Sequence, residues 1–365
     1  MAFSGDDDII RIVGHRGARG ILPENSIVGF DFALSTGVDL LEFDVLLTAD
    51  NVPVITHNHE FQGSCVRGPD GDFLKGKAPR VRSLRMEDVQ GFDIGRLDGT
   101  SDYGRRFPDQ AQMDGIRVPR LAELLHLVSQ PKYANACLML ELKSDPDSAL
   151  DPVARAGFVS LVCDEVRGAG LTDRTLLHSF DWTLLAECHR QAPDMPLSFL
   201  TQLHDSEDDV GEESSHPVAP DLHQPGISVP DEVSKAGGAL WCPHFSEITA
   251  HDLARARELE LCVAVWTVNE PADINAMIDL RVDAIVTDYP GRVHDANLIE
   301  APLDAIDQHV ERATHEMQKV SGWVLGRGSQ CRVDAEIVRW PGRYIDGRGA
   351  DMWSFIQQRL GEEAA

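Results

Sequence analysis

Eight short apolar runs recur along the first four-fifths of the chain, and between them lie segments whose apolar positions repeat at helical spacing. The runs are Ile12 to Gly14, Asp39 to Leu46, Cys137 to Lys143, Thr175 to Phe180, Leu197 to Thr201, Ala239 to Cys242, Leu261 to Thr267 and Ala284 to Thr287. Near-continuous apolar runs of this length are what strands buried on both faces require. Asn25 to Leu34, Leu121 to Val128, Pro152 to Arg167, Trp182 to Gln191, Ala250 to Leu259 and Pro271 to Leu280 read as helices. Eight strands alternating with helices predict an α/β chain folded as a (β/α)8 TIM barrel. A further run, Val52 to Thr56, follows the second strand after only Thr48-Ala49-Asp50-Asn51. A crossover helix takes about a dozen residues, so this run is expected to return as a hairpin strand.

Two excursions break the rhythm. Residues 58–118, rich in Gly, Arg and Asp, read as a small insertion after the second strand, lying over one barrel edge. Residues 204–234 hold six acids between Asp205 and Glu213 and then several prolines, which reads as a solvated loop or, more sharply, a mobile lid. The expected barrel domain spans residues 1–300. Beyond it, Leu303, Ile306, Val310, Ala313, Met317 and Val320 recur at helical spacing, so 301–365 reads as a helical C-terminal extension whose role the sequence does not reveal.

Charge narrows the class of partner. A net charge of −27 opposes attraction to nucleic acid or anionic lipid, both of which need a basic face. No apolar run reaches the roughly 18–20 residues that cross a bilayer, so no integral membrane segment is expected. The seven cysteines are scattered without a Cys-x-x-Cys pair and read as reduced, mostly buried thiols. Asp6-Asp7-Asp8 stands where a secretory leader would need a basic start and an apolar core, which predicts a cytoplasmic location.

In a strand, residues two apart share a face, so Glu42 and Asp44 point one way, as do Glu141 and Lys143. Both pairs fall at the carboxyl ends of strands, where barrel enzymes carry their chemistry. One such carboxylate alone would most often pair with a surface Arg or Lys. Three converging there repel one another and resist burial unless a cation neutralises them. Oxygen-only ligation suits Mg²⁺ or Ca²⁺. His15, Arg16 and His57, also at strand ends, favour the cation reading over surface pairing.

The sequence resembles the glycerophosphodiester phosphodiesterase family, within the superfamily of phospholipase-C-like phosphodiesterases. The resemblance rests on His15-Arg16-Gly17, Pro23-Glu24-Asn25-Ser26, Glu42-Phe43-Asp44-Val45, Val54-Ile55-Thr56-His57, Val118-Pro119-Arg120-Leu121-Ala122-Glu123, Glu141-Leu142-Lys143, Ser179-Phe180, Trp266-Thr267-Val268-Asn269 and Ile285-Val286-Thr287-Asp288-Tyr289-Pro290. It implies a barrel with an insertion after the second strand, one divalent cation held by Glu42, Asp44 and Glu141, and proton transfer by His15 and His57. Two positions depart from the family pattern. Asn58 and then His59 follow His57 where an Asp usually stands, and Arg120 replaces a common Thr, a change read as exposed.

The implied activity is hydrolysis of small-molecule glycerophosphodiesters to glycerol 3-phosphate and an alcohol. Arg16 and Lys143 would grip the phosphate, Arg as a fork and Lys as a point charge. One histidine would deprotonate the attacking hydroxyl, from water or from the glycerol, and the other would protonate the leaving alcohol. The sequence does not say which does which. Trp266 is a candidate apolar wall for the glycerol moiety, and Glu24 and Asn25 would brace the first loop or touch the site, with Asn25 or Ser26 also able to cap a helix. Phe180 reads as barrel filling, and His204, His216, His223 and His244 are assigned no role. The alternatives are a lysophospholipase-D or sphingomyelinase-D-like reaction through a cyclic phosphate, or a noncatalytic phosphate-ligand barrel. Loss of a histidine or metal ligand would mark the last, and all five are present. Oligomeric state is not legible in the sequence.

Overall fold

In the computed structural model the described residues are 10–38, 40–145, 151–204, 220–222, 224 and 226–293. The chain divides into two units, Met1–His294 and Asp295–Ala365, and every described residue belongs to the first. The helix expected beyond Glu300, the acidic run from Asp205 to Glu213, and Cys331 lie outside the described residues.

Among the described residues nine strands make one sheet: β1 (Arg11–Gly14), β2 (Leu40–Leu47), β3 (Pro53–Ile55), β4 (Cys137–Leu142), β5 (Thr175–Ser179), β6 (Leu197–Thr201), β7 (Leu240–Pro243), β8 (Cys262–Val265) and β9 (Ala284–Thr287). All except β3 run parallel, and β1 pairs with both β2 and β9, closing an eight-stranded barrel. β3 folds back antiparallel on β2, with Val45 opposite Ile55, as the short connection predicts. The helices are α1 (Ile27–Ser35), α2 (Met86–Val89), α3 (Asp102–Arg106), α4 (Leu121–Val128), α5 (Pro152–Gly168), α6 (Trp182–Gln191), α7 (Val229–Lys235), α8 (Ala250–Glu258) and α9 (Pro271–Leu280).

The strand alternation decides what fills the barrel. Val13, Leu40, Met139, Leu176, Leu200, Leu240, Ala264 and Ala284, one from each barrel strand, belong to a single buried cluster. Carrying the same alternation toward the strand ends leads to His15, Glu42 and Asp44, Glu141 and Lys143, His178, His244, Trp266 and Asp288. The apolar plug thus forms the floor beneath a polar upper layer. Phe180 belongs to that plug, in keeping with its reading as filling.

Helix starts are fixed by side-chain caps. Ser26 Oγ accepts from Gly29 N, Asp151 from Val153 and Ala154 N, Asp181 from Thr183 and Leu184 N, and Thr249 from Asp252 N. Each such cap contributes about 1 kcal/mol. The excursion at 204–234 needs correcting at its far end, because Val229–Lys235 is helical, with Ser228 accepting from Asp231 N. Pro230 sits in the first turn of α7, where its missing N–H costs nothing, so a residue that reads as a loop signal is a helix start.

The insertion after β3 packs Phe61, Val66, Val81, Met86, Val89 and Val118 against Leu46 and Val54, which belong to the β2–β3 hairpin. A smaller cluster of Leu97, Tyr103 and Phe107 adjoins it. Cys163, Cys188 and Cys242 are buried, while Cys65, Cys137 and Cys262 are half-buried. Among the described residues no helix is long and apolar enough to cross a membrane.

Candidate active site

The first βα loop wraps tightly. A Cβ on Gly14 would lie 2.3 Å from the Gly17 carbonyl oxygen, and Gly17 itself takes φ +92°. Arg16 (φ 49°) and Asn25 (φ 51°) also sit in the left-handed region, a placement that costs a non-glycine residue about 1–3 kcal/mol. Hydrogen bonds hold both residues there. Asn25 N donates to Arg16 O at 3.0 Å, Arg16 N to Glu42 Oε2 at 3.1 Å, and Asn25 Nδ2 to Asp44 Oδ2 at 2.9 Å. Ser26, not Asn25, caps α1.

Glu42, Asp44 and Glu141 bring one carboxylate oxygen each to within 4.8 Å of one another, and all three are buried. Two cations face them. Arg16 Nε lies 3.4 Å from Asp44 Oδ2, and Lys143 Nζ lies 3.1 Å from Glu141 Oε1 and 3.5 Å from Asp44 Oδ1. Burial pushes Glu42 well above the usual carboxylate range, reinforced by the charges of Asp44 and Glu141. Burial also lifts Glu141, to about 7, against the pull of Lys143. Asp44 goes the other way: burial would raise it, but His57, Lys143, Arg16 and the Asn25 hydrogen bond together hold it well below normal. Two acids are therefore short of positive charge. Asp44 Oδ1 is buried with no hydrogen-bond partner. A hard divalent cation fits such an all-oxygen donor set and would relieve the repulsion.

His15 Nδ1 lies 2.8 Å from Asp288 Oδ1, and its Nε2 is 3.8 Å from Glu42 Oε2. The carboxylate fixes the tautomer with the proton on Nδ1, so Nε2 carries its lone pair toward the acid cluster. Burial and the Arg19 charge pull His15 down despite Asp288, which keeps the ring neutral near pH 7. Asp288 also receives Arg19 Nε at 2.7 Å, Arg19 Nη2 at 3.0 Å and Asn269 Nδ2 at 2.7 Å. Burial would raise its carboxyl, but Arg19 and His15 hold it well below the ordinary range.

His57 follows β3 and is carried beside Asp44 by the bond from Thr56 N to Asp44 O at 3.0 Å. Its Nδ1 lies 2.6 Å from Asn58 Oδ1, so the neighbour that orients the ring is an uncharged amide oxygen. His59 turns away to the Ser144 carbonyl at 3.1 Å, and burial brings its pKa down to about 4. Trp266 stands edge-on to Phe180 at 5.3 Å and to His244 at 5.2 Å, with its indole N–H on the Cys242 carbonyl. Glu24 Oε1 accepts from Arg16 Nη1 at 3.2 Å. Arg120 is exposed at the start of α4.

Sequence reasoning quoted Asp288 and Asn269 within motifs but gave them no role, and it missed Arg19 and His178. Asp288 was findable, because it continues the inward alternation of Ala284 and Val286 past the end of β9. His178 likewise continues Leu176; it binds Ser198 Oγ at 2.6 Å and burial takes its pKa down to about 3. Arg19 and Asn269 leave no periodic signal, since both lie in loops. His244 accepts a neighbour the sequence did not name, Ser246 Oγ at 2.8 Å.

The model of the glycerophosphoryl diester phosphodiesterase family matches residues 15–292. A glycerophosphodiester phosphodiesterase of Bacillus altitudinis is 25% identical over 285 residues, covering 77% of this chain and 96% of its own. A solved structure from Silicibacter pomeroyi DSS-3, named for the same activity, is 46% identical with a TM-score of 0.75, covering 81% of this chain and 96% of its own. A phosphodiesterase of Oleispira antarctica, solved with its product sn-glycerol-3-phosphate, shares the fold at TM-score 0.58 and 18% identity over 78% of this chain and 96% of its own.

Proposed function

Because this chain belongs to the glycerophosphoryl diester phosphodiesterase family, we propose that it hydrolyses glycerophosphodiesters to sn-glycerol 3-phosphate and an alcohol with the help of one divalent cation. The observation that carries this reading is the buried trio of Glu42, Asp44 and Glu141, with the bare Nε2 of His15 3.8 Å from Glu42.

Glu42, Asp44 and Glu141 are the residues that would hold Mg²⁺ or Ca²⁺, whose chemistry is to withdraw charge from the phosphoryl oxygens. Arg16 and Lys143, already on the acid cluster, bind the same phosphate. His15 and His57 move the protons, one taking that of the attacking hydroxyl and the other supplying the leaving alcohol. Each transfer contributes about 10²–10⁴-fold, or roughly 3–5 kcal/mol. Enzymes commonly lower barriers by about 8–23 kcal/mol, so positioning and fixed charge supply the rest. Trp266, braced by Phe180 and His244, presents its ring to the glycerol side of the substrate. We infer a small-molecule partner and a cytoplasmic location.

The test is a coupled assay for glycerol 3-phosphate with glycerophosphocholine, with and without chelator. Chelator-sensitive release of glycerol 3-phosphate supports the reading, and absence of release from any glycerophosphodiester overturns it. Phosphorus NMR of the products separates direct hydrolysis from a cyclic phosphate, the course of lysophospholipase-D or sphingomyelinase-D-like chemistry.

A further inference from the structure

Tyr103 lies on α3, inside the insertion and 79 residues from Glu24, yet its hydroxyl donates a hydrogen bond to the Glu24 carboxylate. The same oxygen accepts from Arg19 Nη1 at 3.3 Å. From this phenol two branches run to the site. Through Glu24 the first reaches Arg16 Nη1, and Arg16 in turn bonds Glu42 through its backbone N–H and approaches Asp44 through Nε. Through Arg19 the second reaches the forked bond to Asp288, which holds Nδ1 of His15.

The insertion secures the Arg19 branch twice more. Gln110 Nε2 donates to the Arg19 carbonyl at 2.8 Å, and the Arg19 guanidinium stacks over the Phe107 ring at 4.6 Å. Tyr103, Arg19 and Arg16 are all buried, at 5%, 2% and 3% exposure.

We propose that Tyr103 is a positioning residue, through which the insertion sets the Arg16 guanidinium and the His15 imidazole for the phosphodiester. This rests on the reading of Arg16 and His15 given above. The physical need is plain at Arg16, whose backbone is held in the left-handed region and whose long side chain has many rotamers to lose. Glu24 is the part of its setting nearest to solvent, with 15% of its side chain exposed. A carboxylate at that boundary swings toward water unless a second donor pins it, and the phenol is that donor. A ring without the hydroxyl keeps the packing against Phe107 at 5.4 Å and loses the pin.

The test compares full-length wild type, Tyr103→Phe, Glu24→Gln and the double variant on glycerophosphocholine, with Arg105→Ala as a control. Arg105 is exposed on the same helix and pairs with Asp102 there. Tyr103→Phe is expected to lower kcat about 10- to 100-fold, with a smaller change in KM, while the variant remains folded by circular dichroism at the assay temperature. Adding Tyr103→Phe to Glu24→Gln should cost little more, because residues in one network are non-additive. Arg105→Ala should match wild type. Folded Tyr103→Phe with kcat within about twofold of wild type overturns the proposal, as do fully additive losses or an equal loss in Arg105→Ala. Inorganic phosphate titrated calorimetrically should bind Tyr103→Phe at least about 3-fold more weakly than wild type. That arm decides the proposal even if wild type hydrolyses no glycerophosphodiester, the result that would instead remove the proposed function.

Discussion

Three acids sharing two cations set the protonation chemistry at the scale of single residues. In the metal-free protein Glu141 has its pKa raised to about 7, so folding disfavours its ionised form. The carboxylate therefore destabilises the metal-free fold above about pH 7, and that penalty is relieved as pH falls toward the ordinary carboxylate value. A cation needs the ionised form, so its affinity runs the opposite way. Mg²⁺ or Ca²⁺ should bind more weakly as pH drops below 7, by up to about tenfold per pH unit for each proton displaced, and calorimetry in buffers of different ionisation heat should record proton release. Equal affinity at pH 6 and pH 8 would argue against Glu141 as a ligand. Glu42→Gln or Asp44→Asn should abolish metal-dependent turnover with the fold retained, as read by circular dichroism alongside the coupled assay. His15→Ala and His57→Ala should each reduce kcat by at least about 10². Asp288→Asn removes the charge that fixes the His15 tautomer and half of a buried ion pair. It should lower kcat by a comparable factor and cost about 3–5 kcal/mol of stability, measured by urea unfolding.

Among the elements, α1 carries the most direct link between a local signal and the site. Its cap, Ser26, is buried, accepts from Gly29 N at 3.1 Å and donates to the Pro23 carbonyl at 2.5 Å. Ser26→Ala should cost about 1–2 kcal/mol in urea unfolding, through the lost cap and the unsatisfied carbonyl, and an unchanged midpoint would deny the cap its weight. Strands and most helices were legible because burial on both faces demands continuous apolar runs, and because α6 and α9 begin and end where their spacing predicts. The same alternation puts Glu42, Asp44, Glu141 and Lys143 on one face, and their side chains lie close together in the structure. It fails where geometry comes from loops, as with Arg19 and Asn269, and where a residue changes meaning with position, as with Pro230 at the start of α7. Tyr103 illustrates the limit: its partner Glu24 is 79 residues away, and nothing local marks the pairing.

Considered as a whole molecule, the chain is strongly acidic at −27, while Arg16, Arg19 and Lys143 gather positive charge at one end of the barrel. An anionic diester must cross a repulsive field to reach them. Raising ionic strength from about 20 to 200 mM shortens the reach of that field, so kcat/KM for an anionic glycerophosphodiester should rise by a few-fold, while that for zwitterionic glycerophosphocholine should change little. A fall for the anionic substrate would mean that local attraction outweighs the net charge.

The barrel closes where the first strand meets the ninth, and the bond from His15 to Asp288 spans 273 positions across that seam. On the ribosome, where the N-terminal strand emerges first, this imidazole waits for its carboxylate until nearly all the rest of the barrel has been made. A nascent or truncated chain without Asp288 therefore leaves the His15 ring without the carboxylate that orients it, however well its other strands have assembled.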